Sequence, residues 1–280
     1  MGSSADKLDS LAAAARRWYR DDPLADCFMA EYHRDVPIDD VEDRDLGDVV
    51  SVAAAHLELG RHRAAGQTLV QAIVPPAQTQ ASGSAVLLFV TDDIPFLVDT
   101  VRMVLDRRSL GIELLVLPML SIVRNVDDEL VEVVDRGAAR PPGTQVEAWT
   151  QIRLNGCPAD LLSDVEDEVT AAIADVVRIV TDFSEMRERL LSVSADNALV
   201  AWLANQHFVL LGAASYERRV DAVGEVSLHL AVGSELGEYR PDTRLDVTAV
   251  GPPSKAGDVN AEPVVIARTE ALSTIHRSAR

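Results

Sequence analysis

Ala85-Val-Leu-Leu-Phe-Val90, followed at once by Thr91-Asp-Asp-Ile-Pro-Phe-Leu97, decides how this chain folds. The first six residues are a continuous apolar run, the pattern of a strand buried on both faces. Thr91-Asp92-Asp93 ends the run, and Pro95 predicts a helix start, since a first-turn proline lacks only an N–H that the helix would leave unused. Phe96, Leu97, Val101, Val104 and Leu105 recur at helical spacing, with Arg102, Asp106 and Arg107 on other faces.

Downstream, Gly111 releases the chain into a long strand, Ile112 to Val123, interrupted at Pro118. Asn125 to Asp128 reads as a turn, Leu130 to Val134 as a short returning strand and Arg140 to Thr144 as a loop. Glu147 to Leu154 alternates, with Ala148, Thr150, Ile152 and Leu154 on one face and Trp149, Gln151 and Arg153 on the other. Pro158 begins a second long helix, to about 180, whose stripe includes Leu161, Val165, Val169, Ile173 and Val176. Strand, helix, strand, strand, helix predicts an α+β fold of ferredoxin-like layout, an antiparallel sheet with both helices on one face. Thr68 to Val74 is a further strand that would add an edge.

Upstream, helices are expected at 5–20 and 24–34, broken at Asp22-Pro23 and stopped at Val36-Pro37. A third, capped by Asp39 or Asp40, carries Val49, Val50, Ala53, Ala54 and Leu57 and ends near Gly60. Beyond 181, helices at 182–192 and 196–206 lead into a strand His207 to Gly212 and a hairpin returning through Ser227 to Val232. Loops at 251–257 precede a last strand, Pro263 to Arg268, and the ending at Ser273 to Arg280 reads as a truncation. The expected organisation is a helical segment 1–64, a sheet-and-helix domain 65–181 and the start of a second α+β module at 182–280.

Hydrophobic residues at 48% and charged residues at 25% allow a sizeable core, although aromatics are only 4%. A net charge of −19 argues against a nucleic-acid backbone or an anionic membrane as partner. No apolar run reaches the roughly 20 residues of a membrane span, and no signal peptide opens the chain. Cys27 and Cys157, far apart, suit a reducing compartment, so a cytoplasmic protein is expected. His33 stands alone, while His56 and His62, beside Arg61 and Arg63, are expected on a solvated surface; no histidine pair has metal-binding spacing. Trp149 and Trp202 are expected to be core or interface anchors. Gly212, Gly224, Gly233 and Gly237 lack dinucleotide-fingerprint spacing, and Lys7 and Lys255 are the sole lysines. No catalytic, cofactor-binding or metal residue is therefore expected in this chain.

Three stretches in order resemble the amino-terminal region of the large bacterial NAD-specific glutamate dehydrogenases. They are Thr91 to Val101 with the strand through Pro118, Glu147 to Leu154 with the helix at 158–180, and Trp202 to Gly212 with Ser273-Thr-Ile-His-Arg277. The resemblance implies that residues 65–181 form an ACT-like domain and leaves open a second one in the later module. It implies NAD-dependent deamination of glutamate to 2-oxoglutarate for a whole enzyme, with the dinucleotide and glutamate sites downstream. It also implies a homo-oligomer with allosteric regulation by a small amino-acid effector.

For that effector the candidate is the turn Asp92, Asp93, Ile94, Phe96 and Leu97, similar to the ACT signature in which a strand ends in Asp-x-Pro-Gly-Leu before a helix. A helix N-terminus suits a carboxylate, and Asp92 or Asp93 would meet an ammonium group. Phe96 replaces the usual glycine, so a second reading stays open in which Asp93 merely caps the helix and Phe96 anchors it to the sheet. Three functions follow: a regulatory and oligomerisation region of a dehydrogenase, a stand-alone amino-acid sensor, or a subunit-joining module that binds nothing.

Overall fold

A computed structural model describes residues 22–37, 40–41, 44–75, 84–192, 198–207, 209–220 and 226–240. The helix expected at 5–20 and everything expected beyond 240 lie outside them. The chain forms two compact units, 1–173 and 174–280.

The first unit begins with α1 (Pro23–Tyr32), capped by Asp22, whose Oδ1 accepts from Leu24 N at 3.0 Å. Helix α2 (Leu46–Gly60) is capped by Asp45, which accepts from Asp48 N at 3.0 Å, not by the expected Asp39 or Asp40. Five further strands and a helix complete the sheet: β1 (Leu69–Ile73), β2 (Ala85–Asp92), α3 (Leu97–Arg107), β3 (Gly111–Val116), β4 (Met119–Arg124) and β5 (Leu130–Val133). The sixth strand, β6 (Gln145–Asn155), is the longest and leads through a 3-10 turn at Ala159–Leu161 into α4 (Leu162–Ser192).

Every strand pair is antiparallel, in the order β1-β2-β6-β4-β5, with β3 also on β6. Strands β3 and β4 are the single strand expected from 112 to 123, parted at Leu117-Pro118. Pro118 donates no hydrogen bond, but its carbonyl accepts from Trp149 N at 3.0 Å, so β6 runs unbroken past both halves. The sheet edge beside β2 is filled by β1, from before the core. In a ferredoxin-like fold that place belongs to a strand after the second helix. The outer N–H of Ala72 on β1 is taken up by Glu166 Oε2 of α4 at 2.7 Å, which closes this edge to further pairing.

Pleat alternation sorts the two faces. Val86, Leu88 and Val90 of β2 and Trp149 of β6 join the clusters built on α1 and α2 with Phe28, Tyr32, Val52 and Leu57. Ala85, Leu87, Phe89, Ile152 and Leu154 point to the other side, where α3 buries Val101, Val104 and Leu105 and α4 buries Val165, Val169 and Ile173. Arg108, just past α3, grips Glu168 of α4 through Nε at 3.0 Å and a second nitrogen at 2.7 Å, which fixes the two helices side by side. The sheet thus lies between two helical layers.

In the second unit α4 continues past 181 without the expected break and ends at Ser192. Helix α5 (Ala198–Trp202) passes into a π turn, Leu203–His207, so His207 does not begin a strand as expected. Strand β7 (Gly212–Ala213) pairs with β10 (Leu236–Gly237), and β8 (Tyr216–Val220) forms the expected hairpin with β9 (Val226–Leu230). Asp182 on α4 accepts from Gly237 N at 2.8 Å and from Arg240 Nε at 2.7 Å, and the guanidinium holds its carboxyl below the usual range.

Candidate functional site

The turn singled out in the sequence does form one wall of a groove. Helix α3 starts at Leu97, two residues later than Pro95 implied, and Pro95-Phe96 is a turn instead. Phe96 sits at φ 68° and ψ 2°, the dihedrals of the third residue of a type II turn, where glycine is normally required. A bulky residue in this left-handed region costs roughly 1–2 kcal/mol, so the missing glycine is a real expense in backbone strain. Phe96, not Asp93, occupies the N-cap position of α3, and it makes no side-chain cap hydrogen bond. Phe96 is 36% exposed.

The groove has a volume of ≈ 350 Å³. Asp93, Ile94, Phe96 and Leu97 line it from the turn, Val98 and Asp99 from the first turn of α3, and Leu117, Pro118 and Met119 from the break between β3 and β4. Ala148 and Thr150 of β6 also line it. Thr150 is 1% exposed. None of the lining residues is a cation.

Asp92 does not join this group. It points to the opposite face of β2, where its Oδ1 accepts from Arg63 at 2.6 Å. Beyond Val98 and Asp99, which directly follow the turn, the residues not foreseen were Leu117, Pro118, Met119, Ala148 and Thr150. Two signals pointed to them: the proline that parts the long strand, and the alternation that puts Ala148 and Thr150 on one face.

Behind the sheet lies a buried ionic cluster. Glu147, 1% exposed, accepts from Arg63 at 2.8 Å, from Arg124 Nε at 2.9 Å and from Trp149 Nε1 at 3.1 Å. Arg63 also donates to the Gln67 carbonyl, and Arg124 to the carbonyls of Gly60 and Asp128. The Arg63 side chain is only 2% exposed, although its neighbour His62 was expected at a solvated surface. His56, assigned to the same surface, is also buried: its Nδ1 lies 2.8 Å from Tyr32 Oη and its Nε2 3.2 Å from the Phe89 carbonyl. The helical pattern of α2 missed it because the groups that meet His56, Tyr32 of α1 and the Phe89 carbonyl of β2, lie far away in the sequence. His33 is buried as well and His62 is exposed. Trp149 is a core anchor as expected, whereas Trp202 is 47% exposed.

Burial pushes the His56 imidazole down to about 3. The unfolded chain takes up this proton near pH 6.5 and the folded chain refuses it down to about 3. Stability is therefore fully present above 6.5 and falls with acid through that window, by about 1.4 kcal/mol per pH unit. Burial lowers His33 in the same direction. A His56→Gln variant is expected to lose about 2 kcal/mol less than the parent between pH 7 and pH 5 in urea titrations. Identical losses would refute the assignment.

Among the described residues no group of His, Cys, Asp and Glu could hold a metal ion, and no helix is long and apolar enough to cross a membrane. A family model described as glutamate dehydrogenase, ACT1 domain, matches residues 28–169, from within α1 to the first turns of α4. The NAD-specific glutamate dehydrogenase of Pseudomonas aeruginosa is 26% identical over 210 residues, covering 68% of this chain and 13% of that protein. The enzymes of the same name from Mycobacterium tuberculosis and Halomonas elongata are 27% and 24% identical over 180 and 237 residues, covering 58% and 78% of the chain. The chain spans 11% and 15% of those two proteins, a small part of each. The family match takes in just over half of the chain, including the sheet and the turn between β2 and α3, and the chain belongs to the glutamate dehydrogenase ACT1 domain family.

Proposed function

We propose that this chain is the amino-terminal regulatory and oligomerisation region of a cytoplasmic NAD-dependent glutamate dehydrogenase, with catalysis carried out by residues outside it. The whole enzyme would convert L-glutamate, NAD and water to 2-oxoglutarate, ammonium, NADH and a proton. One observation carries the regulatory part: a groove formed where β2 ends and α3 begins, lined by Asp93 and Phe96 from the turn and by Pro118 from the opposite wall. A small amino-acid effector is its ligand in this reading, held by Asp93, Ile94, Phe96 and Leu97, while Asp92 serves the Arg63 ion pair. NAD belongs to the whole enzyme and has no place in this chain. For assembly, the outer edge of β3 pairs with no strand among the described residues, and Leu115 on it is 36% exposed, so a second copy can extend the sheet there.

The chain incubated with glutamate and NAD is expected to form no NADH. In the same preparation a panel of amino acids should include at least one that raises its melting temperature, because a ligand at a hundred times its Kd stabilises the folded state by about 2.7 kcal/mol. NADH formation by the chain alone would overturn the first half of the reading. A panel that shifts nothing would overturn the second.

A further inference from the structure

Met119 lines two hollows, the groove at the turn and a second one of ≈ 260 Å³. The second is walled by Met119, Ser121, Val134 and Val146, and Arg140 also lines it. Both open on one face of the sheet, since Met119 pairs with Ala148 and Ser121 with Val146 across β4 and β6. That face loses its cover along β6. Ile152 is fully buried, Ala148 is 8% exposed and Val146 37%, with Met119 at 41% beside it. An apolar strip is therefore left open between the two hollows.

The ends of the strip differ in shape and in charge. At one end is Phe96, exposed and held in the left-handed region at φ 68°. Backbone strain of this kind collects at functional contacts, and an exposed aromatic ring is the commonest sort of interface anchor. Asp93 and Asp99 flank it, and neither has an ion-pair partner among the described residues. At the other end is the second hollow, with room for a phenyl ring. There Arg34 serves Glu31 and Asp135, and Asp35 serves Arg136, whereas Arg140 has no partner among the described residues.

A knob with surplus negative charge and a hollow with surplus positive charge make one surface complementary to itself. A twofold axis through Met119 sets the knob of each copy over the hollow of the other and the two open strips against each other. Asp93 serves the effector in the reading above, which leaves Asp99 to meet Arg140.

We propose that two copies of this chain associate face to face through this strip, with Phe96 of each seated in the hollow lined by Met119 and Val146 of the other. The proposal rests on the oligomerisation reading above and adds a contact separate from the β3 edge.

Sedimentation equilibrium of the 280-residue chain over a concentration series tests it. The parent should form a dimer. Phe96→Gly should weaken that dimer at least about tenfold, the scale of losing an aromatic anchor. It should do so with no loss in the urea midpoint at dilutions where the chain is monomeric, because glycine suits the turn. Arg140→Glu and Asp99→Arg should each weaken the dimer by about threefold to tenfold, as two exposed ion pairs related by the twofold are lost together. Combined in one chain, the two charge reversals should recover most of the affinity. A parent that stays monomeric throughout would remove the interface and the oligomerisation reading with it. A dimer that Phe96→Gly and Arg140→Glu leave unchanged would overturn the interface and leave assembly through β3 standing. Charge variants that weaken the dimer singly and give no recovery together would overturn the twofold pairing.

Discussion

Glu147→Ala is expected to cost the first unit about 3–5 kcal/mol, the range for removing one partner of a buried ion pair. The reason is what remains. Arg63 and Arg124 have side chains only 2% and 5% exposed, and both face the Glu147 carboxylate. Without it two guanidinium groups share a desolvated space, with Asp92 able to neutralise one of them. The Trp149 indole N–H also loses its acceptor. Urea unfolding followed by the fluorescence of the buried indole measures the loss as a lower midpoint at an unchanged slope. Glu147→Gln, which keeps an acceptor oxygen for the indole but not the charge, should fall between the parent and the alanine variant. A loss below about 1 kcal/mol for Glu147→Ala would mean that the cluster is solvated and that its charges are screened.

Gly60→Ala is expected to destabilise by about 3 kcal/mol, the upper end of the usual overpacking range. Helix propensity alone points the other way, since alanine is favoured over glycine inside a helix by up to about 1 kcal/mol. Packing decides the sign. A Cβ at residue 60 would lie 2.1 Å from Trp149 Cη2 and 2.6 Å from Cζ3, against an ordinary carbon–carbon contact of about 3.5–4.0 Å. The indole has nowhere to go: Phe28 meets it edge-on at 5.0 Å between ring centroids, His56 lies at 5.1 Å, and Nε1 is tied to Glu147. Trp149→Leu removes the clashing ring, so the double variant should lose clearly less than the two single losses added together. A Gly60→Ala variant as stable as the parent would show that the end of α2 yields freely at this contact.

Both residues were in plain view in the sequence, and neither was assigned a role there. Glu147 read as the first residue of an alternating strand, which begins two residues earlier at Gln145, and Gly60 as the end of a helix, which holds. Their weight comes from partners far along the chain: Arg63 lies 84 residues from Glu147, and Trp149 reaches Gly60 across the sheet. His56 failed for a related reason. A histidine among arginines reads as solvated when the helix is considered alone, and it becomes buried once β2 supplies the Phe89 carbonyl behind it. The effector turn was half legible. The strand end, the proline and the helix that follows identified it, but the opposite wall arises from the Pro118 break, which comes against the turn only when β3 and β4 both pair with β6.

By itself the sequence determined the order and kind of the elements from β2 to α4, the two faces of β6 and the parting of one long strand at Pro118. Hydrophobic period, proline and caps act over a few residues, and that information is carried locally. Tertiary structure decided which strand fills the edge beside β2, that α1 and α2 cover the second face, that Asp92 turns away to Arg63, and that Phe96 adopts a left-handed backbone. Those outcomes depend on which charges and side chains meet across the sheet, and sequence spacing does not record such meetings.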